Sequence, residues 1–513
     1  MIATVYTAGL CGIDGFEVAV ECAAGRRAPR FDLVGFGDTA VKEAKERILS
    51  AMENSAIPFP PLDILVNLAP ADRRKEGSSM DVAILLSILA AARALPADLD
   101  LTSKSFFGEL SLSGEIRGVN GILCLVLAAR DAGRREIFVP KANADEASVV
   151  DGVTVYGVSH VKELLSYLRG AAIPTPTVYD KATFARETQR TDADFFDVCG
   201  QMRAKRGMEI AAAGGHNILL IGPPGAGKSM LAKRLPGILP DFTFAEALES
   251  TKIHSVSGLL TGTILTARPF RSPHHTVSPV AMIGGGATPK PGEISLAHGG
   301  VLFLDELPEF SKSLTESLRQ PLEDGEVTIT RARGRVRYPS RFMMVCAMNP
   351  CKCGNFGNKD KPCTCKTGDV RRYLDRISGP LLDRIDIQVE MSSVSFSDIH
   401  GGGGKRGETS AVIRERVNRA RAFANARYER DGLSGMTNAA LTPAALREYC
   451  ALDEESTELL RKAFDVMGLS ARGHDRILKV ARTIADLAGS ERIEKKHLAD
   501  AIGYRSLDKR YWR

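Results

Sequence analysis

The chain has 513 residues, too many for one hydrophobic core, and at about 150 residues per domain it is expected to form three or four domains. An apolar fraction of 44% and a charged fraction of 25% belong to a globular protein and exclude a disordered or fibrous one. The net charge of +6 does not by itself mark a nucleic-acid protein, so such contact is expected only where positive charge clusters. The N-terminal stretch MIATVYTAGLCGIDGF has neither the basic nor the apolar region of a signal peptide. The longest apolar run, Val82–Ala92, is too short to cross a bilayer and reads as a buried helix. A cytoplasmic location without a membrane partner is the expectation. Ten cysteines there argue against a disulfide framework. Six of them, Cys11, Cys22, Cys124, Cys199, Cys346 and Cys450, are scattered and are expected to act as small core residues.

Residues 1–168 alternate strand-like runs (17–24, 62–70, 136–140) with helical spacing (41–52, 80–95), which predicts a self-contained α/β domain. Within it RRKEGSSMDVAILLSIL (73–89) resembles the serine block of Lon-type proteases, with Ser79 at the nucleophile's place. A serine of that type needs a lysine base. The corresponding later position holds Leu123, and no lysine lies between Lys104 and Lys141. The resemblance therefore implies a Lon-protease-like fold without the activity, with Ser79 as an N-cap before the apolar helix.

Residues 169–194, rich in Pro, Thr and charge and without periodicity, read as a linker. The strand Asn217–Ile221 then runs into GPPGAGKS and the helical MLAKRL, which satisfies the phosphate-binding loop pattern in its strand–loop–helix setting. The loop and its exit are Gly222, Pro223, Pro224, Gly225, Ala226, Gly227, Lys228, Ser229 and Met230. Its glycines free successive N–H groups to face phosphate oxygens, and the following helix adds the positive end of its dipole. Lys228 supplies a charge for the β- and γ-phosphates and Ser229 a hydroxyl for Mg²⁺. Downstream, VLFLDELPEF is an apolar run ending in two acids, with Asp305 expected to hold the metal and Glu306 to polarise the attacking water. A third run, RFMMVCAMNP, brings Asn349 to a strand end, where its amide suits a γ-phosphate or water contact.

Between Lys228 and Asp305 lies more chain than a bare nucleotide core needs; RPFRSPHHTVSPVAMIGGGATPKPGEISLAHGG reads as a projecting loop. Its adjacent His274 and His275 diverge too much to share a metal and read as loop or subunit-interface residues. In EVTITRARGRVRYPSRF, Arg331, Arg333, Arg335 and Arg337 recur at every second position beside a turn at Gly334. Alternation is expected to bring the four guanidinia largely to one face of a two-stranded ribbon, as a DNA-backbone contact. The alternative is a solvated edge hairpin whose charge deters aggregation. Cys351, Cys353, Cys363 and Cys365 form C-x-C-x₉-C-x-C, a ligand set for structural Zn²⁺; a redox switch or unligated thiols are the competing readings. Residues 195–394 thus form an ATPase core, 395–409 a glycine-rich connector, and 410–513 a helical lid.

Several long blocks together, 200–240, RPFRSPHHT, GEISLAHGGVLFLDELPEF, LRQPLEDGEVTITRA, AMNPCKCG and RRYLDRISGPLLDRIDIQVE, resemble the Mg-chelatase-like AAA+ proteins of the ComM/YifB type over essentially the whole chain. That resemblance implies an α/β P-loop core with a helical lid, and a ring, expected to be hexameric, that uses ATP and Mg²⁺ to move along single-stranded or branched DNA. It implies branch migration during natural transformation. It gives Asn349 the sensor-1 role and the arginine ribbon that of a pre-sensor-1 hairpin. Arg384 in GPLLDRIDI falls at the arginine finger, and Arg472 in SARGHDRIL at sensor 2, with Arg476 as its competitor. A chelatase-type ATPase driving metal insertion with partner subunits is the alternative, and an ATP-dependent protease is disfavoured by the missing lysine.

Overall fold

A computed structural model describes the chain except for residues 27, 36, 188–192, 287–288, 332–333, 359–360, 394–406, 434, 508–510 and 513. Arg333 and most of the expected connector lie outside the described residues. Two compact units result. The first comprises Met1–Ala185, Phe244–Leu265 and Thr330–Tyr338; the second comprises Arg186–Thr243, Thr266–Ile329 and Pro339–Arg513.

The first unit is built on two four-stranded sheets. One runs Ile2–Cys11, Asp14–Gly25, Asp63–Ala69, Arg30–Val34, antiparallel except for its last, parallel pair. Phe16, Val18, Val20, Cys22 and Ala24 alternate into the core along its second strand. The other sheet runs Pro176–Thr177, Thr154–Val158, Glu136–Pro140, Lys104–Phe106. The apolar run seen in sequence is the helix Asp81–Ala91, buried at every residue but Ala90. Ser79 is not its N-cap. Met80 takes that position, and the Ser79 carbonyl instead accepts from the Gly108 amide at 2.9 Å. Leu123 is fully buried in the helix Ile122–Asp131.

Two segments distant in sequence complete this unit. Phe244–Ser257 is a helix whose Leu248 packs on the cluster around Ile122 and Leu125, and whose Ser255 carbonyl accepts from the Gly121 amide at 3.1 Å. Phe244 also meets Phe184 edge-on, at 5.6 Å between ring centroids. The other segment is the outer part of the arginine ribbon, where Val336 closes on the turn at Gly12. A Cβ on Gly12 would stand 2.4 Å from Val336 Cγ1, and the backbone there is left-handed at φ +67°. Of the six scattered cysteines, Cys22, Cys124, Cys346 and Cys450 are buried as expected, whereas Cys11 is exposed and Cys199 half-buried.

The second unit carries a five-stranded, all-parallel sheet in the order Phe270–Arg271, Val301–Leu304, Met343–Met348, Ile218–Ile221, Ile387–Glu390. The three middle strands are buried at every residue, because helices cover both faces of such a sheet. The apolar runs found in sequence are therefore these strands, and their carboxyl ends carry Gly222, Asp305 and Asn349 to one edge of the sheet. Helices Ser410–Arg430, Pro443–Tyr449, Glu454–Met467, Ala471–Leu487 and Lys495–Gly503 follow. Ile477, Val480, Ala481 and Ile484 face inward at helical spacing and join the core that includes Ile218 and Leu220.

Candidate nucleotide site and its neighbours

The loop after Ile221 is shaped to receive an anion. Gly225 and Gly227 have φ +79° and +86°, and a Cβ at either would meet nothing within 4 Å, so their left-handed backbone borders open space. Gly222 is needed for a different reason: a Cβ there would lie 2.6 Å from the Met391 carbonyl oxygen. Lys228 begins the following helix, and its Nζ donates to the carbonyls of Gly222 (2.7 Å) and Pro223 (2.9 Å) and to Asn349 Oδ1 (2.9 Å). The residues assigned to loop and third strand thus meet at one ammonium group. Ser229 Oγ donates to Asp305 Oδ2 at 2.5 Å. A hydroxyl and a carboxylate converging in this way are oxygen donors of the type that would hold Mg²⁺, which neutralises charge on the phosphates.

Glu306 follows in a left-handed conformation, φ 53° and ψ 48°, and its amide donates to Asp305 Oδ1 at 2.9 Å. A non-glycine residue adopts that backbone only under constraint, and such constraint concentrates at functional sites. Its carboxylate is exposed and lies 3.7 Å from His275 Nδ1.

Burial is the main influence on Lys228 and pushes its ammonium down to about 8, against the opposing pull of Asp305 and Glu306. Phosphate oxygens favour the charged form, so nucleotide binding above that pH must take up a proton. The affinity for ATP is expected to be constant up to pH 8. Above it the affinity should fall, approaching about tenfold per pH unit. Calorimetry in buffers of different ionisation enthalpy reads the proton uptake directly. Constant affinity from pH 7 to pH 9.5 contradicts this assignment.

The four cysteine Sγ atoms all lie within 4.8 Å of one another, with Cys351–Cys353, Cys353–Cys363 and Cys351–Cys363 at 3.3, 3.5 and 3.7 Å. A tetrahedral site with Zn–S bonds near 2.3 Å requires S···S edges of about 3.8 Å, so the cluster is compatible with structural zinc. The Phe356 amide points at Cys351 Sγ at 3.3 Å, and a backbone bond from Asn355 is the chief cause lowering the Cys353 thiol to about 5. Zinc held here would cross-link a loop with little core of its own. That loop also touches the phosphate loop: a Cβ on Gly354 (φ +81°) would lie 2.3 Å from Pro224 Cδ. No feature of the cysteine spacing signals that contact.

The arginines sit in different surroundings. Arg384 is only 5% exposed; its Nε donates to the Arg319 carbonyl (3.1 Å), an Nη to that of Pro380 (2.7 Å), and it pairs with Glu323. A finger reaching a neighbouring subunit would first have to leave these partners. Arg472 is exposed in the first turn of Ala471–Leu487, while Arg476 is committed to the buried Asp386. In the ribbon, Arg331 shares parity with the buried Val327 and Ile329, whereas Arg335 and Arg337 alternate with Val336 and the buried Tyr338. The turn changes which parity faces the apolar side, so Arg331 does not share a face with Arg335 and Arg337. Arg335 and Arg337 form an exposed pair opposite the apolar side.

The parallel sheet, the glycine loop and the acid pair define the protein as a P-loop ATPase-type α/β core of the AAA+ class, joined to a Lon-like N-terminal region. The model for magnesium chelatase subunit ChlI matches residues 194–399, its C-terminal model residues 407–505, and a further ChlI model residues 20–143. Competence protein ComM of Haemophilus influenzae is 42% identical, over 99% of this chain and 98% of its own length. The uncharacterized protein YifB of Escherichia coli is 41% identical over 99% and 98%. Lon protease 2 of Thermus thermophilus is 28% identical over 25% of this chain and 17% of its own. The chain belongs to the Mg-chelatase-like AAA+ family of the ComM/YifB type. Membership points to ATPase activity with ATP and Mg²⁺. No helix among the described residues is long and apolar enough to cross a membrane.

Proposed function

We propose that this protein is a ring-forming, ATP-driven motor that moves along single-stranded or branched DNA, acting in branch migration of recombination intermediates. The observation that supports it is the exposed pair Arg335 and Arg337, carried on a hairpin of the same chain that carries the Lys228–Ser229–Asp305 constellation. Guanidinium groups displayed on a ribbon neutralise backbone phosphates without reading sequence, which is what a translocating element needs. A family member named as a competence protein agrees with a substrate taken from transforming DNA. In this reading Glu306 is the general base, Asn349 orients the γ-phosphate, and Arg472 senses the nucleotide from the lid. Arg384 acts across a subunit boundary once Glu323 releases it, and hexamers are the assembled form.

The test is the ATPase rate with no nucleic acid, with single-stranded DNA and with a four-way junction. Stimulation by DNA is expected. Replacing Arg335 and Arg337 by Ala should remove it, and lower the slope of log affinity against log salt by about one per lost phosphate contact. The chelatase family models favour a second reading, a subunit that drives metal insertion into a porphyrin. Absence of stimulation by every DNA, with intact basal hydrolysis, selects that reading over the motor.

A further inference from the structure

The projecting loop places an imidazole against the acid expected to do the chemistry. His275 Nδ1 stands 3.7 Å from Glu306 Oε2, too far for a hydrogen bond and within ion-pair reach. Among the described residues it is the one basic side chain recorded within 4 Å of that carboxylate.

The two partners differ in constraint. The His275 ring lies 4.0 Å from that of His274 and presents its edge to Phe310, at 6.4 Å and 80°. His274 is itself held by Thr276 Oγ1, 2.9 Å from its Nδ1. Upstream, Arg271 grips Glu293 through two bonds of 2.7 and 2.8 Å, so the loop leaves the sheet from a clamped strand end. Glu306, by contrast, has a defined backbone but a carboxylate that is 59% exposed. A general base must hold one orientation when water attacks, and nothing in its own backbone gives it one.

We propose that His275 is a positioning residue for Glu306. By closing the remaining gap, its Nδ1–H donates to Oε2 and holds the carboxylate in the rotamer that faces the attacking water. In the step so assisted, the water oxygen bonds to the γ-phosphorus while its proton passes to Glu306 Oε1. The bond to the bridging oxygen breaks, and its electron pair leaves with ADP. This inference rests on the nucleotide-site reading, and the wild-type rate separates the two: a wild type that does not hydrolyse ATP overturns both.

The experiment compares His275→Ala and His275→Asn, each in the wild-type and Glu306→Gln backgrounds. Single-turnover hydrolysis and the Kd of a fluorescent non-hydrolysable ATP analogue are measured on the full chain. His275→Ala is expected to slow hydrolysis about tenfold or more, part of the 10²–10⁴ that a general base supplies, with Kd within about twofold of wild type. His275→Asn, which keeps a donor near the same place, should recover most of the rate. In the Glu306→Gln background, His275→Ala should cost nothing further, because the group it serves is gone. A wild-type rate in His275→Ala overturns the inference, as does a full additional loss on top of Glu306→Gln. So does a rate loss that tracks a weakened Kd.

Discussion

Lys228→Ala is expected to reduce ATP hydrolysis by about 10²–10³-fold, with and without DNA, the usual loss when one preorganised donor is removed from a phosphate or oxyanion site. This ammonium donates to the Gly222 and Pro223 carbonyls and to Asn349 Oδ1. These three oxygens fix it at the glycine loop. Lys228→Arg should fail almost as badly, because a planar fork cannot replace a point charge fitted to three converging oxygens. The same burial gives an internal control. A lysine whose folded value is pulled down to about 8 destabilises the folded protein below that pH, where both states are protonated. Without nucleotide, Lys228→Ala should then melt no lower than wild type at pH 7, while the rise in Tm caused by ATP disappears. Hydrolysis within threefold of wild type would refute the site. A large drop in nucleotide-free Tm would refute the account of the lysine.

Features readable from sequence were those whose physics is local. The phosphate loop is eight consecutive residues, and Asp305 and Asn349 each follow an unbroken apolar run. Parallel strands buried on both faces must read that way, so Asp305 and Asn349 could be placed at strand ends without coordinates. The cysteine set is legible for the same reason, as four thiols within one short loop. What stayed hidden depends on pairs far apart in the chain. The helix Phe244–Ser257 belongs with Gly121 and Leu125, more than a hundred residues earlier, and its own spacing carries no trace of that. Arg384 could be aligned to a finger by resemblance, but its commitment to Glu323 and the Arg319 carbonyl follows from packing. The arginine ribbon differs for a subtler reason. A period of two holds only along one continuous strand, and the turn between Arg331 and Arg335 changes which parity faces the apolar side. Adjacent histidines make a poor metal site, and nothing in the His274–His275 pair signals the approach of His275 to Glu306.

The least legible feature is also the one with the largest expected effect on stability. Asp386 is 3% exposed; it pairs with Arg476 of the lid, accepts from the Asn217 amide at 3.1 Å, and faces His216 Nδ1 at 3.4 Å. His216 Nε2 in turn meets Thr483 Oγ1 at 2.7 Å, on the same lid helix as Arg476. One carboxylate therefore joins the start of the phosphate-loop strand, the last sheet strand and the lid. Burial acts to raise its value, but Arg476 and then His216 outweigh burial and hold the carboxyl well below the ordinary range. Asp386→Ala should destabilise this unit by about 3–5 kcal/mol, mostly because Arg476 is left desolvated and unpaired. The double variant Asp386→Ala/Arg476→Met removes both charges and should recover at least half of that loss, a coupling that urea denaturation measures. A depressed carboxylate contributes stability above its unfolded value near 3.9 and loses it as pH falls through the folded one. The gap between wild type and Asp386→Ala should thus be constant from pH 5 to pH 9 and narrow only in stronger acid. Because the lid carries Arg472 one turn from Arg476, Asp386→Ala should also slow hydrolysis at saturating ATP under conditions where it remains folded. A single-variant cost below 1 kcal/mol, or a double variant no more stable than Asp386→Ala, would mean that the lid is held by its apolar face alone.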